Sequence, residues 1–179
     1  MPFVVELYFD PLTEERIRGA WKAIDEARIS DAMPKGGQRP HVSLGVCDHL
    51  ETKSLVQELT TFAAGIPPFR LLFPNIGIFS QSERVVYLGV AVTAQLLDIH
   101  TAFHKIFKKY AKEQYYYYTV GRWVPHCTLA LGLSEHQIAE TVTVCRQIDL
   151  PASTEIKEIG LVEVFPTGCQ TLHSFNLNS

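Results

Sequence analysis

A chain of 179 residues, 46% hydrophobic and 20% charged, is long enough for one domain or two small lobes and can bury a core without covalent staples. Its net charge of -3 argues against a protein that coats long nucleic acid and leaves a small anionic ligand or the end of a nucleic acid as a partner. Cys47, Cys127, Cys145 and Cys169 have no metal-binding or redox spacing, and no apolar run approaches a membrane span, so a soluble, monomeric, cytoplasmic protein with reduced thiols and no membrane partner is expected.

Phe3 to Phe9 alternates and is rich in strand formers, and Asp10-Pro11 then supplies a cap and a first helical residue. Ile17, Ala20, Trp21, Ile24 and Ala27 fall on one face of the helix that follows, and Ser30 to Arg39 reads as a loop. A strand from Pro40 to Val46 leads into a second helix over Asp48 to Ala64. Phe69 to Phe79 reads as an edge or bulged strand because Pro74 interrupts it, and Arg84 to Val92 as its partner across a polar turn at Ser80 to Glu83. A third helix is expected over Ala94 to Glu113, then an aromatic connection over Tyr115 to Val124. A strand from Pro125, a fourth helix over Ser134 to Gln147 and a hairpin of Thr154 to Phe165 and Thr171 to Leu177 complete the chain.

The order of elements repeats, and so does one stretch of sequence. Pro40-His41-Val42-Ser43-Leu44-Gly45-Val46 returns 85 residues later, 41 to 126, as Pro125-His126-Cys127-Thr128-Leu129-Ala130-Leu131. Ile76-Gly77-Ile78-Phe79 is echoed by Ile159-Gly160-Leu161-Val162. These repeats predict an α+β protein of two pseudo-symmetric lobes, mainly antiparallel sheet with outer helices, whose halves cover about 1–83 and 84–179 of a single bilobed domain. In a strand, His41 and Ser43 share one face while Val42 and Leu44 take the other, and the same holds for His126 and Thr128. Two motif strands lining a central cleft would therefore present two imidazoles and two hydroxyls to one point.

Two imidazoles titrating near neutrality suit a reaction that removes one proton and delivers another. With Ser43 and Thr128 placed to bind non-bridging oxygens, in-line attack by water or a ribose hydroxyl on a phosphodiester is the expected chemistry. Arg39 and Arg122, just before the motifs, could bind phosphate, and Tyr115 and Tyr118 could stack a base. Lys105, Lys108, Lys109 and Lys112 form a basic stripe, most simply a solvated face. His100 and His104 have a spacing that can hold a metal, but no carboxylate or cysteine accompanies them, and no metal or other cofactor is expected. His49, His136 and His173 read as surface or structural residues.

The paired His-x-[Ser/Thr]-x motifs, His41-Val42-Ser43-Leu44 and His126-Cys127-Thr128-Leu129, resemble the two signatures of the two-histidine (2H) phosphoesterase superfamily. Trp123-Val124-Pro125-His126-Cys127-Thr128-Leu129-Ala130 resembles its 2'-5' RNA ligase branch. The resemblance implies a bilobed fold and metal-independent handling of 2',3'-cyclic phosphates or 2',5' linkages on RNA ends, cyclic nucleotides or short oligonucleotides, reversible ligation included. The competing reading is a module that binds a nucleotide or RNA end in the same cleft without turning it over.

Overall fold

The computed structural model describes residues 1–79 and 84–178, so the turn expected at Ser80 to Glu83 lies outside the described residues. Strand β1 (Phe3–Tyr8) leads into α1 (Pro11–Glu26), whose start follows the sequence: the Asp10 carboxylate accepts from the Thr13 amide at 2.9 Å, and Ile17, Ala20, Trp21 and Ile24 are buried. The expected loop contains one short helix, α2 (Ala32–Gly36). Strand β2 (His41–Leu50) then runs through Asp48, where a helix was expected. That helix, α3 (Thr52–Ala64), begins only after Glu51, which caps the Ser54 amide at 3.1 Å.

Pro74 divides the next expected strand into β3 (Phe69–Leu72) and β4 (Asn75–Phe79), which join different sheets. After β5 (Val85–Gly89), helix α4 (Ala94–Phe107) stops short of the expected Glu113. Its expected last turn is instead β6 (Ala111–Gln114), which pairs with Cys47, His49 and Leu50 at the far end of β2. One pairing accounts for both departures: the residues leaving β2 and α4 complete each other's backbone hydrogen bonds. A 3-10 turn at Tyr116–Tyr118 precedes β7 (His126–Ala130), and α5 (Glu135–Cys145) is closed by a reciprocal capping box of Ser134 and Gln137. The final hairpin is β8 (Ser153–Ile156), β9 (Glu158–Phe165) and β10 (Gly168–Asn176), with β8 set apart from β9.

The strands form antiparallel sheets in the orders β10-β9-β1-β2-β6, β4-β5-β7 and β3-β8. The lobes are interleaved. The sheet that contains the first motif takes β6, β9 and β10 from the second half of the sequence, while β4 from the first half joins the second motif's sheet. Helices are exchanged as well: α1 packs on β7 and α5, and α4 on β2 and α3. Strands β3 and β8, equivalent in the repeat, pair with each other between the lobes, Phe69 opposite Ile156 and Leu72 opposite Ser153. The sequence halves expected at 1–83 and 84–179 thus exchange strands and helices, each motif's sheet drawing on both. Among the described residues no helix is long and apolar enough to cross a membrane.

Candidate active site

The two motif strands repeat in three dimensions down to an irregularity that the sequence does not announce. In the β1–β2 ladder Tyr8 stands opposite His41 and Glu6 opposite Ser43, but Val5 then pairs with Gly45, so Leu44 bulges out of register. In the β5–β7 ladder Gly89 stands opposite His126 and Tyr87 opposite Thr128, and Val86 then pairs with Ala130, so Leu129 bulges at the equivalent place. A bulge bends its strand and sharpens the local twist. Here it follows the hydroxyl residue in each motif, while Val42, Leu44, Cys127 and Leu129 stay buried and His41, Ser43, His126 and Thr128 remain half-buried on the other face.

Each catalytic candidate is clamped in the same way. His41 Nδ1 lies 2.7 Å from the carbonyl of Arg39, and His126 Nδ1 lies 2.7 Å from the carbonyl of Val124. A carbonyl can only accept, so Nδ1 carries the hydrogen, and Nε2 of a neutral ring keeps its lone pair. The prolines at 40 and 125 sit inside this two-residue loop-back. The motif backbones are tied across the two halves of the sequence by tryptophans: the Trp123 indole donates to the Ser43 carbonyl at 2.9 Å, and Trp21 to the Thr128 carbonyl at 3.0 Å. Strands β2 and β7 are in contact. Replacing either tryptophan by phenylalanine leaves a buried acceptor without its donor and should cost about 2 kcal/mol. A calorimetric Tm lowered by about 4–8 °C in both variants is the expected result.

The two histidines differ in surroundings. Burial, and then the neighbouring charge of His41, hold the His126 imidazole below its ordinary pKa of 6.5, against the opposing hydrogen bond that it donates to the Val124 carbonyl. Phe79 meets its ring edge-on at 4.9 Å and Tyr87 lies 5.1 Å away. Beside His41 there is a carboxylate instead: Glu6 Oε1 lies 3.4 Å from His41 Nε2. Neither Glu6 nor the aromatic pair stood out in the sequence, where Glu6 is one polar residue of an alternating strand.

The other candidates are placed as follows. The Arg39 guanidinium is held by Glu14 at 2.7 Å and by both oxygens of Glu158 at 3.1 Å, and lies over the Tyr8 ring at 3.8 Å, so its direct link to the site is its main-chain carbonyl. Arg122 stacks on Tyr116 at 4.2 Å, the Tyr115 hydroxyl donates to Asp48 at 3.1 Å, and Tyr118 packs partly against the core. Lys105, Lys108, Lys109 and Lys112 are exposed, Lys109 paired with Glu58 at 2.9 Å. His49, His136 and His173 are exposed. His100 and His104 are buried under β2, each with Nε2 3.1 Å from the carbonyl of the bulged Leu44, and His100 stacks flat on Trp123 at 3.9 Å. Burial lowers both pKa values, that of His100 to about 4, so both are neutral donors to a carbonyl that the ladder leaves unpaired. Among the described residues no group of three or more His, Cys, Asp or Glu is arranged to hold a metal.

Residues 15–164 match the family described as the 2'-5' RNA ligase superfamily. A Bacillus thuringiensis (strain Al Hakam) protein named "Putative phosphoesterase" is 28% identical over 137 residues, covering 75% of this chain and 76% of that one. Among solved structures, E. coli LigT complexed with 3'-AMP superposes with a TM-score of 0.62 at 18% identity, with all of both chains covered. Kluyveromyces marxianus Usb1 superposes with a TM-score of 0.52 at 11% identity over 96% of each chain. These likenesses extend the fold to proteins whose sequences have diverged almost completely, and the family match spans both histidine motifs and most of the chain between and around them. The chain belongs to the 2'-5' RNA ligase superfamily of two-histidine phosphoesterases.

Proposed function

We propose that the protein is a metal-independent phosphoesterase that opens 2',3'-cyclic phosphates with water or cleaves 2',5' linkages on RNA ends or nucleotides by attack of the neighbouring 3'-hydroxyl, with ligation, the attack of a 5'-hydroxyl on a cyclic phosphate, as the reverse of that cleavage. The observation that carries this reading is the matched pair of clamps, with Nδ1 of both histidines held at 2.7 Å by a carbonyl two residues earlier on symmetry-related strands. It keeps Nε2 of each ring available for a proton on the face that also bears Ser43 and Thr128. The E. coli neighbour, crystallised with 3'-AMP, supports a mononucleotide-sized phosphate ester as ligand.

His126, with its lowered pKa, is unprotonated near neutrality and takes the proton of the attacking water. The water oxygen bonds to phosphorus in line with the departing ribose oxygen. The P–O bond to that oxygen breaks, its electron pair stays on the oxygen, and His41 Nε2 supplies the proton. Ser43 and Thr128 donate to the non-bridging oxygens as negative charge grows on them. The two imidazoles finish with exchanged protonation states and re-equilibrate through solvent. Arg122, Tyr115 and Tyr118, on the connection next to β2 and β7, are the proposed contacts to the rest of the nucleotide.

The test is incubation of the purified protein, in EDTA, with short RNAs ending in a 2',3'-cyclic phosphate or carrying one terminal 2',5' linkage, beside an all-3',5' control. Ring opening or 2',5' cleavage, unaffected by the chelator and absent from the control, is expected. Tight binding with no product over hours would instead establish the cleft as a binding module.

A further inference from the structure

A carboxyl group removed from water costs free energy unless something returns the lost interaction. Glu6 is 1% exposed, and its Oε1 has no hydrogen-bond partner, yet it faces His41 Nε2 at 3.4 Å. It stands opposite Ser43 in the ladder, on the face of β1 that also carries Tyr8. The Tyr8 hydroxyl is hydrogen-bonded to Glu6 and to Thr171 of β10. In the second lobe the position equivalent to Glu6, opposite Thr128, is Tyr87. The pseudo-symmetry of the site is therefore broken on the strand that pairs with each motif, and one of the breaks is a buried acid beside one of the two histidines.

The charges around Glu6 leave His41 as its natural counterpart. The Arg39 guanidinium, over the Tyr8 ring, is shared between Glu14 of α1 and Glu158 of β9. Burial pushes the Tyr8 phenol well above its ordinary range, and burial likewise keeps the thiols of Cys127 on β7 and Cys169 on β10 protonated. His126 faces His41 from β7 and is itself held toward the neutral form. Burial pushes the Glu6 carboxyl above its ordinary range and the charge of His41 pulls it back, and at 3.4 Å the contact is too long to be a good hydrogen bond, so the two groups hold a proton between them without committing it to a bond.

We infer that Glu6 is a positioning residue that keeps one proton on the Glu6–His41 pair, making His41 the proton donor of the site and leaving His126, which has no such acid beside it among the described residues, as the base. This rests on the acid/base reading of the cleft given above. Glu6 does not touch the reacting atoms and acts only through His41. Because the two groups are coupled, the proton belongs to the pair, and removing the carboxylate charge must lower the pH at which His41 loses it.

The experiment is an NMR titration of the imidazole signals of the ligand-free protein and of Glu6→Gln and Glu6→Asp, with the pH–rate profile of ring opening measured in parallel. In the wild type, His41 is expected to titrate at higher pH than His126. In Glu6→Gln its midpoint should fall by about one pH unit or more, with His126 moving less. On 2',3'-cyclic-phosphate RNA, kcat should fall about 10- to 100-fold with KM little changed, and the alkaline limb should move down with His41. Glu6→Asp should restore part of both. A wild-type His41 titrating below His126 would overturn the inference, and this needs no variant to fold. So would a folded Glu6→Gln protein in which the rate falls but the His41 midpoint and the alkaline limb stay put. If the wild type turns over no substrate, the phosphoesterase reading fails while the titrations still decide the role of Glu6.

Discussion

His126→Ala is expected to lower kcat for ring opening by about 10³-fold, within the range that a positioned general base contributes. The water it activates would have to lose its proton to solvent, with nothing held in line with the scissile bond. His41→Ala should cost a comparable factor by withholding the proton from the leaving oxygen. Their effects on stability should differ. His126 is half-buried and among the described residues its ring is anchored by one hydrogen bond, to the Val124 carbonyl, so its removal should leave Tm within about 2 °C of the wild type. His41→Ala strands the buried Glu6 without its counterpart and should lower Tm further. Circular dichroism melting of both variants beside their kinetics would check each half of this expectation.

Gly160→Ala is expected to be the most damaging single-methyl change in the protein. An added Cβ would lie 2.3 Å from Tyr8 Cε2 and 2.4 Å from the Tyr8 hydroxyl. Tyr8 cannot retreat: it is 1% exposed, its hydroxyl is tied to Glu6 and Thr171, and Arg39 covers its ring. Such overpacking should cost about 3 kcal/mol and lower Tm by about 6–12 °C. It should also slow catalysis, because Tyr8 and Glu6 would shift under His41. Gly77→Ala makes a control within the same molecule. Its Cβ would come as close, 2.3 Å, to the Tyr87 ring, but Tyr87 is half-buried and can swing outward. Less than half the loss is expected there, and equal losses would contradict the account given for Tyr8.

The motif strands were legible because their chemistry coincides with the simplest periodicity a sequence has. His41 and Ser43 alternate with Val42 and Leu44, and one repeat in the chain supported the other. Helix starts at Asp10 and Ser134 were legible for the same reason, since their cap chemistry is local. What stayed hidden depends on partners distant in sequence. Lys112 and Glu113 belong to good helix formers, yet Glu113 adopts a left-handed φ of 55° and the segment pairs with β2. No local signal says that β9 and β10 join the sheet of the first motif, or that α1 and α4 change lobes. The pairing of Arg39 with Glu14 and Glu158 stayed hidden because they are 25 and 119 residues away. The i, i+4 pair His100 and His104 makes sense only once the bulge at Leu44 leaves a carbonyl for them. Glu6 could not be singled out until the ladder set it opposite Ser43.

That the two histidines serve one chemical step is tested most directly by a double-mutant cycle on ring opening of a 2',3'-cyclic-phosphate RNA in EDTA. If they act as base and acid on the same phosphorus, His41→Ala, His126→Ala and the double variant should all fall to within about a factor of ten of one another, since groups that act as a unit are not additive. Losses that multiply, or either folded single variant retaining a rate within about tenfold of the wild type, would contradict a shared two-histidine site.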